Sequence, residues 1–211
     1  MELAELTVRG FTEEIASASP APGGGSAAAQ AGAVGAALTA MVSGLTLRRK
    51  KYEAVQGLAH RAQAQADVLR KRLLAAMEQD TQAFLQVSAA YAMPKQTLEE
   101  KQARSSAIEQ GLKACTQPPL AVMQLCAEGL ELLERLLGKT NATAASDFGV
   151  ACLSLRAGLQ GAWLNVCINT GSLCDAAFAA DARAAGQKLL DAGLPRAERC
   201  YAAMLGACSE E

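Results

Sequence analysis

The stretch that most constrains this chain follows Glu14. No charged residue appears again until Arg48, and the intervening sequence is built mainly from Ala, Gly, Ser and Thr. From Ser26 onward its only strongly apolar members are Val34, Leu38, Met41, Val42, Leu45 and Leu47. About 20 apolar residues are enough to cross a bilayer, and "RRKK" at 48–51 follows directly, so a membrane span has to be weighed. The small residues argue against it. A helix with small side chains on every face lets neighbouring helices approach its backbone. Its glycines at 32, 35 and 44 each cost about 1 kcal/mol relative to Ala unless close packing offsets them. The expectation is a buried helix, packed against another helix or another subunit, with no membrane as partner. The leading "MELAELTVRGFTEEI" is mixed in charge rather than basic, so a cleaved signal peptide is not expected.

Elsewhere apolar residues recur at spacings of three and four, and β-branched and aromatic runs are missing, which predicts an all-α protein. The spacing predicts helices over about 2–17, 26–47, 52–91 and 97–115, a fifth ending near Leu137, a sixth from Asp147 to about Thr170, and two more over about 172–192 and 195–208. "MPK" at 93–95 and "QPP" at 117–119 read as breaks or kinks, because proline lacks an N–H and restrains the residue before it. "GKTNATAAS" at 138–146 reads as a loop. The sixth segment aligns Phe148, Cys152, Leu155, Leu159, Ala162, Val166 and Leu173 on one stripe and is expected at the centre. With no linker, repeat or low-complexity boundary, residues 1–211 read as a single-domain helical bundle with a long central helix.

Charge excludes some partners. With 20 Lys+Arg against 21 Asp+Glu, the formal net charge of −1 gives no field that would draw the protein to nucleic acid. The seven cysteines are an odd number without a C-x-x-C pair, and there is one His, so they read as small hydrophobes of a reducing cytoplasm rather than as disulfides or metal ligands. A Ser/His/Asp triad cannot be assembled around His60, to which no role is assigned. "NAT" at 141–143 matches a glycosylation acceptor, read as accidental without a secretion signal.

Candidate chemistry begins with "PAPGGGS" at 20–26. Pro20 and Pro22 stiffen the approach, Gly23, Gly24 and Gly25 permit positive φ, and Ser26 is placed to cap the following helix. The result is either a cradle of backbone N–H groups for an anion or polarised carbonyl, or an ordinary flexible lead-in. In the third helix Asp80 shares the stripe of Leu69, Leu73, Ala76, Phe84, Val87 and Tyr91, where a carboxylate needs either a basic partner or a raised pKa. Asp147 sits in a first helical turn, a position the helix dipole favours anyway. Asn165 and Asn169 share one face, suited to a polar heterocycle or to neighbouring backbone. Arg49, Lys50 and Lys51 follow a helix C-terminus, which suits cations whether or not they bind anything.

Taken together, "SPAPGGGSAAAQAGAVGAALTAMV", "LTLRRKKY", "DTQAF", "MPK" and "NATAASDFGVA…NVCIN" resemble the formiminotetrahydrofolate cyclodeaminase and methenyltetrahydrofolate cyclohydrolase family, in that family's order and over about Glu14 to Asn169. Arg48 and Arg49 stand where the family often has Gly-Lys. The resemblance implies an all-helical domain that dimerises through helix packing, with folate near the subunit interface and one-carbon chemistry on tetrahydrofolate. A tetrahydrofolate derivative would be the substrate, with no metal or other cofactor. The chemistry itself needs groups that manage protons on the folate nitrogens, for which Asp80 and Asp147 are the catalytic candidates, Asp80 the stronger, with Lys50 to tune them. Pro22, Gly23, Gly24, Gly25, Ser26, Arg49, Lys51, Asn141, Asn165 and Asn169 would bind the substrate. No single residue separates the two activities; cyclodeaminase is placed first on the family's usual name. The alternative from another class is a non-catalytic helical dimer that binds folate or a protein.

Overall fold

The uncharged run forms helix α2 (Gly24–Leu47), packed along α3 (Gln56–Tyr91) on one side and α5 (Ala145–Gly171) on the other. The computed structural model describes residues 2–209, and among them the remaining helices are α1 (Val8–Ala16), α4 (Leu98–Leu136) and α6 (Ala176–Ser209), with no strand. The all-α fold expected from the apolar spacing is the fold observed.

Glycine sets how closely α2 approaches its neighbours. A Cβ on Gly35 would lie 2.8 Å from the Ala151 carbonyl oxygen and 2.9 Å from the Leu155 nitrogen. A Cβ on Gly158 would lie 2.9 Å from the Ala28 carbonyl oxygen and 3.1 Å from the Gly32 nitrogen. Two backbones therefore touch where α2 crosses α5, and dispersion contacts along that crossing offset the helix cost of the glycines. Although α2 is long and apolar enough to cross a bilayer, Ala29, Ala33, Ala36 and Val42 are buried against protein. On α5, Phe148, Cys152, Leu155, Leu159, Ala162 and Val166 are fully enclosed, which makes it the central helix, touching α2, α4 and α6. Leu173 falls past its end, against a small separate cluster around Val87 and Leu112.

Several boundaries differ from expectation for local reasons. Residues 3–5 form a 3-10 turn, and α1 starts only after Thr7, whose hydroxyl accepts the Gly10 N–H at 3.0 Å. Lys50–Val55 is a second 3-10 turn, so α3 begins at Gln56 rather than Tyr52. Arg48 is right-handed and Arg49 extended, conformations open to any residue. Helix α4 starts with a reciprocal capping box between Thr97 and Glu100.

The predicted breaks at Pro118–Pro119 and near Pro195 do not occur: α4 and α6 are each continuous. Pro119 withholds the N–H that would bond the Cys115 carbonyl, and the Asn169 amide supplies it instead, Nδ2 to O 2.7 Å. Pro195 is exposed, as is Asp191, the residue whose helix carbonyl it leaves without an N–H partner, so that stretch of the helix faces solvent. On α3, Phe84 and Tyr91 are exposed, not part of the buried stripe.

Replacing Gly35 by Ala is expected to destabilise the protein by about 1–3 kcal/mol through overpacking, despite the better helix propensity of Ala, because two of the three nearest obstructing atoms are backbone and the third is the buried Leu155 Cγ. Gly44→Ala faces only the flexible Gln63 side chain at 3.0 Å and is expected to be close to neutral. Urea denaturation of both variants checks this contrast.

Candidate functional site

Helix α2 begins without a side-chain cap. Gly23 occupies its N-cap position with φ −135° and ψ −152°, leaving the first-turn N–H groups without a partner from their own segment. The missing acceptor comes from α3. Asp80 Oδ2 accepts a hydrogen bond from Ser26 Oγ at 3.1 Å, and the Ser26 backbone donates to the same carboxylate. The carboxylate reaches the helix end because Gly25 has no side chain: a Cβ there would overlap Asp80 directly. The glycine run is thus explained by close approach, not by positive φ; among the described residues Gly138 alone has a left-handed backbone. Ser26 lies within the first turn instead of capping it.

Burial raises the pKa of Asp80 above the ordinary aspartate value, and the Ser26 hydrogen bonds offset this only in part. Neither alternative basic partner nor ion pair accompanies it among the described residues. Ser26 Oγ also lies 3.1 Å from the Met77 carbonyl and 3.1 Å from Thr81 Oγ1. One hydroxyl proton serves these acceptors, so the network suits both states of the acid: Ser26 turns toward Asp80 when it is ionised, and toward Met77 when Asp80 itself donates.

Around this carboxylate is a cleft of about 130 Å³. Pro20, Ala21 and Gly23–Gly25 form one wall, Asp80 and Phe84 the next, and Cys115, Asn165 and Asn169 the others. Pro22 lies buried beneath the turn, and the Ala21–Pro22 peptide is cis. Asn165 donates to the Gly161 carbonyl at 3.0 Å and Asn169 to that of Cys115, so both amide groups are oriented by backbone. Burial pushes the Cys115 thiol up to about 11, with the Asp80 charge adding to the effect, and a neutral thiol there is no nucleophile. A larger groove, about 440 Å³, runs between α3 and α4, but it holds none of the predicted residues. Its Glu131 and Arg135 are paired with each other, as on an ordinary solvated face.

The other predicted residues gather elsewhere. Asn141 donates its backbone N–H to Thr46 Oγ1 at 2.9 Å, and Ala142 donates to Tyr52 Oη at 3.0 Å, which fixes the 141–144 turn against the C-terminal end of α2. Asp147 follows in the first turn of α5, and Arg49, Lys50 and Lys51 are exposed nearby on the chain leaving α2. From Gly24 to Leu47 the helix rises roughly 35 Å at 1.5 Å per residue. The structure therefore joins Gly23, Gly24, Gly25, Ser26, Asp80, Asn165 and Asn169 at one end of α2, and Asn141 and Asp147 beside the cationic segment at the other. Within one chain Lys50 and Asp147 do not reach Asp80. Sequence reasoning missed Phe84 and Cys115 as walls of the cleft and Thr81 as a partner of Ser26; Phe84 follows Asp80 by one helical turn, which is the signal that would have found it.

Residues 7–188 match the sequence profile of the formiminotransferase-cyclodeaminase family. The chain belongs to that family. It is 44% identical to the methenyltetrahydrofolate cyclohydrolase of Methylorubrum extorquens over 82% of this chain and 83% of that protein. Similarity extends to the formimidoyltransferase-cyclodeaminases of Mus musculus, at 32% identity, and Sus scrofa, at 35%; each alignment covers 83% of this chain but 32% of the longer relative. Among solved structures, the formiminotetrahydrofolate cyclodeaminase of Thermotoga maritima superposes with a TM-score of 0.82 at 26% identity, covering 98% of this chain and 97% of that one.

The raised pKa of Asp80 carries a sign for stability. Its folded value lies above the unfolded one, so its contribution is most favourable at acid pH, below the unfolded pKa, and is lost as pH rises through the folded pKa. Asp80→Asn is therefore expected to raise the melting temperature at neutral pH. That advantage should shrink as pH falls through the carboxylate range, which thermal melts of both proteins at several pH values check.

Proposed function

We propose that this chain is a cytoplasmic, homodimeric folate enzyme acting on the carbon held between N5 and N10 of tetrahydrofolate. In the first reading it hydrolyses 5,10-methenyltetrahydrofolate to 10-formyltetrahydrofolate. The observation that carries the proposal is the half-buried Asp80, raised in pKa without a basic partner and exposed to a cleft with two oriented amides. A half-buried carboxyl group with a raised pKa is suited to take a proton and to return it.

The reaction follows from that property. Water adds to the electrophilic methenyl carbon and loses a proton to the Asp80 carboxylate, giving a tetrahedral carbinolamine. The C–N5 bond then breaks, N5 takes the proton back from Asp80, and the carbinol hydroxyl releases its own proton as the formyl carbonyl forms on N10. Ser26 and Thr81 hold the carboxyl group through both states, while the side-chain oxygens of Asn165 and Asn169 are acceptors for the N–H groups of a reduced pterin. Phe84 offers a ring face beside it. No metal or redox step is called on, and the tetrahydrofolate derivative is the substrate.

Similar length and 44% identity to a named cyclohydrolase support putting hydrolysis first. The second reading, supported by the fold shared with a named cyclodeaminase, uses the same acid. N10 attacks the protonated formimino carbon carried on N5 and the ring closes; the N10 proton passes to Asp80, which delivers it to the departing amino nitrogen so that ammonia leaves and the methenyl cation remains.

Absorbance of the methenyl chromophore separates the readings. Purified protein is expected to accelerate its loss from 5,10-methenyltetrahydrofolate; accelerated appearance from 5-formiminotetrahydrofolate would support the second route. Asp80→Asn should lower the rate by on the order of 10²- to 10⁴-fold while the protein stays folded. Silence of the wild type on both compounds would contradict the proposal and favour a non-catalytic folate- or protein-binding dimer.

A further inference from the structure

Helix α4 carries two adjacent prolines, Pro118 and Pro119, and continues through both. A proline in a helix withholds the N–H that the carbonyl four residues back would accept, and its ring crowds that carbonyl. The two vacancies differ. Pro118 withholds its N–H from Ala114, an exposed residue, for which the N–H of Gln117 remains as a three-residue alternative. Pro119 withholds its N–H from Cys115, and here the three-residue alternative is Pro118, which has none to give. Cys115 is 6% exposed, so its carbonyl would be left both unpaired and away from water, a costly combination. Asn169 of α5 fills this vacancy, Nδ2 to O 2.7 Å.

That bond fixes more than the helix. A carbonyl oxygen only accepts, so Asn169 can offer it nothing but the NH2 of its amide. The side-chain oxygen Oδ1 is what remains for the cleft, which both Asn169 and Cys115 line. Asn165 is held differently. Its Nδ2 lies 3.0 Å from the carbonyl of Gly161, one turn back in the same continuous helix, where the backbone N–H of residue 165 already serves that oxygen. The Asn165 amide therefore turns over without leaving a buried carbonyl unpaired, and the Asn169 amide does not. With an ordinary residue at 119, the Cys115 carbonyl would be satisfied within α4 and Asn169 would be as free as Asn165.

We propose that Pro119 is a positioning residue of the cleft: it commits the NH2 of Asn169 to the Cys115 carbonyl and so presents Asn169 Oδ1 to the substrate as a fixed hydrogen-bond acceptor. The inference rests on the folate reading and deepens it, because a pterin meets that oxygen with one of its N–H groups. A ligand that placed an acceptor there would face a lone pair and forfeit the bond, which is how a site built for one polar group rejects its absence. Pro119 touches no substrate in this account. It acts through Asn169, from the far side of the carbonyl that the two residues share.

The test compares Pro119→Ala with Pro118→Ala in the full chain. Pro119→Ala returns an N–H to Cys115 within α4 and frees the Asn169 amide, whereas Pro118→Ala returns one to Ala114 and leaves Asn169 committed. Side-chain amide ¹⁵N NMR reads this directly, with the Asn169 pair assigned by its loss in Asn169→Asp. Its hydrogen exchange should be slow in the wild type and in Pro118→Ala, and fast in Pro119→Ala. Titration with 5-formyltetrahydrofolate should give a dissociation constant raised on the order of tenfold in Pro119→Ala, the loss of one hydrogen bond, and within about twofold of wild type in Pro118→Ala. In turnover of methenyltetrahydrofolate the loss should fall on KM more than on kcat, because an acceptor for the ring serves substrate and transition state alike. Fast exchange of the Asn169 amide in the wild type would overturn the proposal, as would unchanged exchange or unchanged affinity in Pro119→Ala, or an equal loss of affinity in Pro118→Ala. If the wild type binds no folate, the functional reading falls, and the exchange comparison alone still decides whether Pro119 fixes Asn169.

Discussion

One carboxylate capping a helix that is not its own organises the functional end of this protein. Helix α2 starts at a glycine with nothing to offer its first N–H groups, and Asp80 of α3 fills that vacancy through Ser26. The arrangement fixes three things together: α3 has to lie against the start of α2, residue 25 has to be glycine, and the acid has to leave bulk water. The helix dipole and Ser26 favour the ionised acid and burial disfavours it more strongly, which holds its pKa above the ordinary aspartate value.

Close packing carries that geometry across the bundle. Small residues let α2 rest on the backbone of α5, and α5 in turn presents Asn165 and Asn169 to the cleft. Asn169 joins site to scaffold, because the carbonyl it bonds is the one Pro119 leaves free in α4. A residue that reads as a ligand for substrate also satisfies the carbonyl that Pro119 frees within the continuous helix α4. Loss of that amide would disturb helix and cleft together.

The all-α architecture was legible because helical spacing survives burial: the stripe from Phe148 to Val166 is periodic, and it is the centre of the fold. Proline misled the reading because its cost depends on who replaces the missing hydrogen bond, and that partner is remote from Pro119 and solvent for Pro195. Asp80 was visible as a carboxylate on an otherwise apolar stripe. The reason for Gly25 was not, since the demand comes from a side chain 55 positions later in the chain. The separation of Asp80 from Lys50 and Asp147 was equally hidden: sequence motifs name candidate residues without saying which end of a helix carries each one.

The most direct test of the central claim is the titration of the Asp80 carboxyl carbon by ¹³C NMR, assigned by its disappearance in Asp80→Asn. The account predicts a midpoint above the ordinary aspartate range in the free protein, and a further change in the signal when 5-formyltetrahydrofolate, a stable folate analogue, is added. A midpoint at or below the ordinary value, with a signal indifferent to the folate, would contradict the assignment of Asp80 as the poised acid of the site.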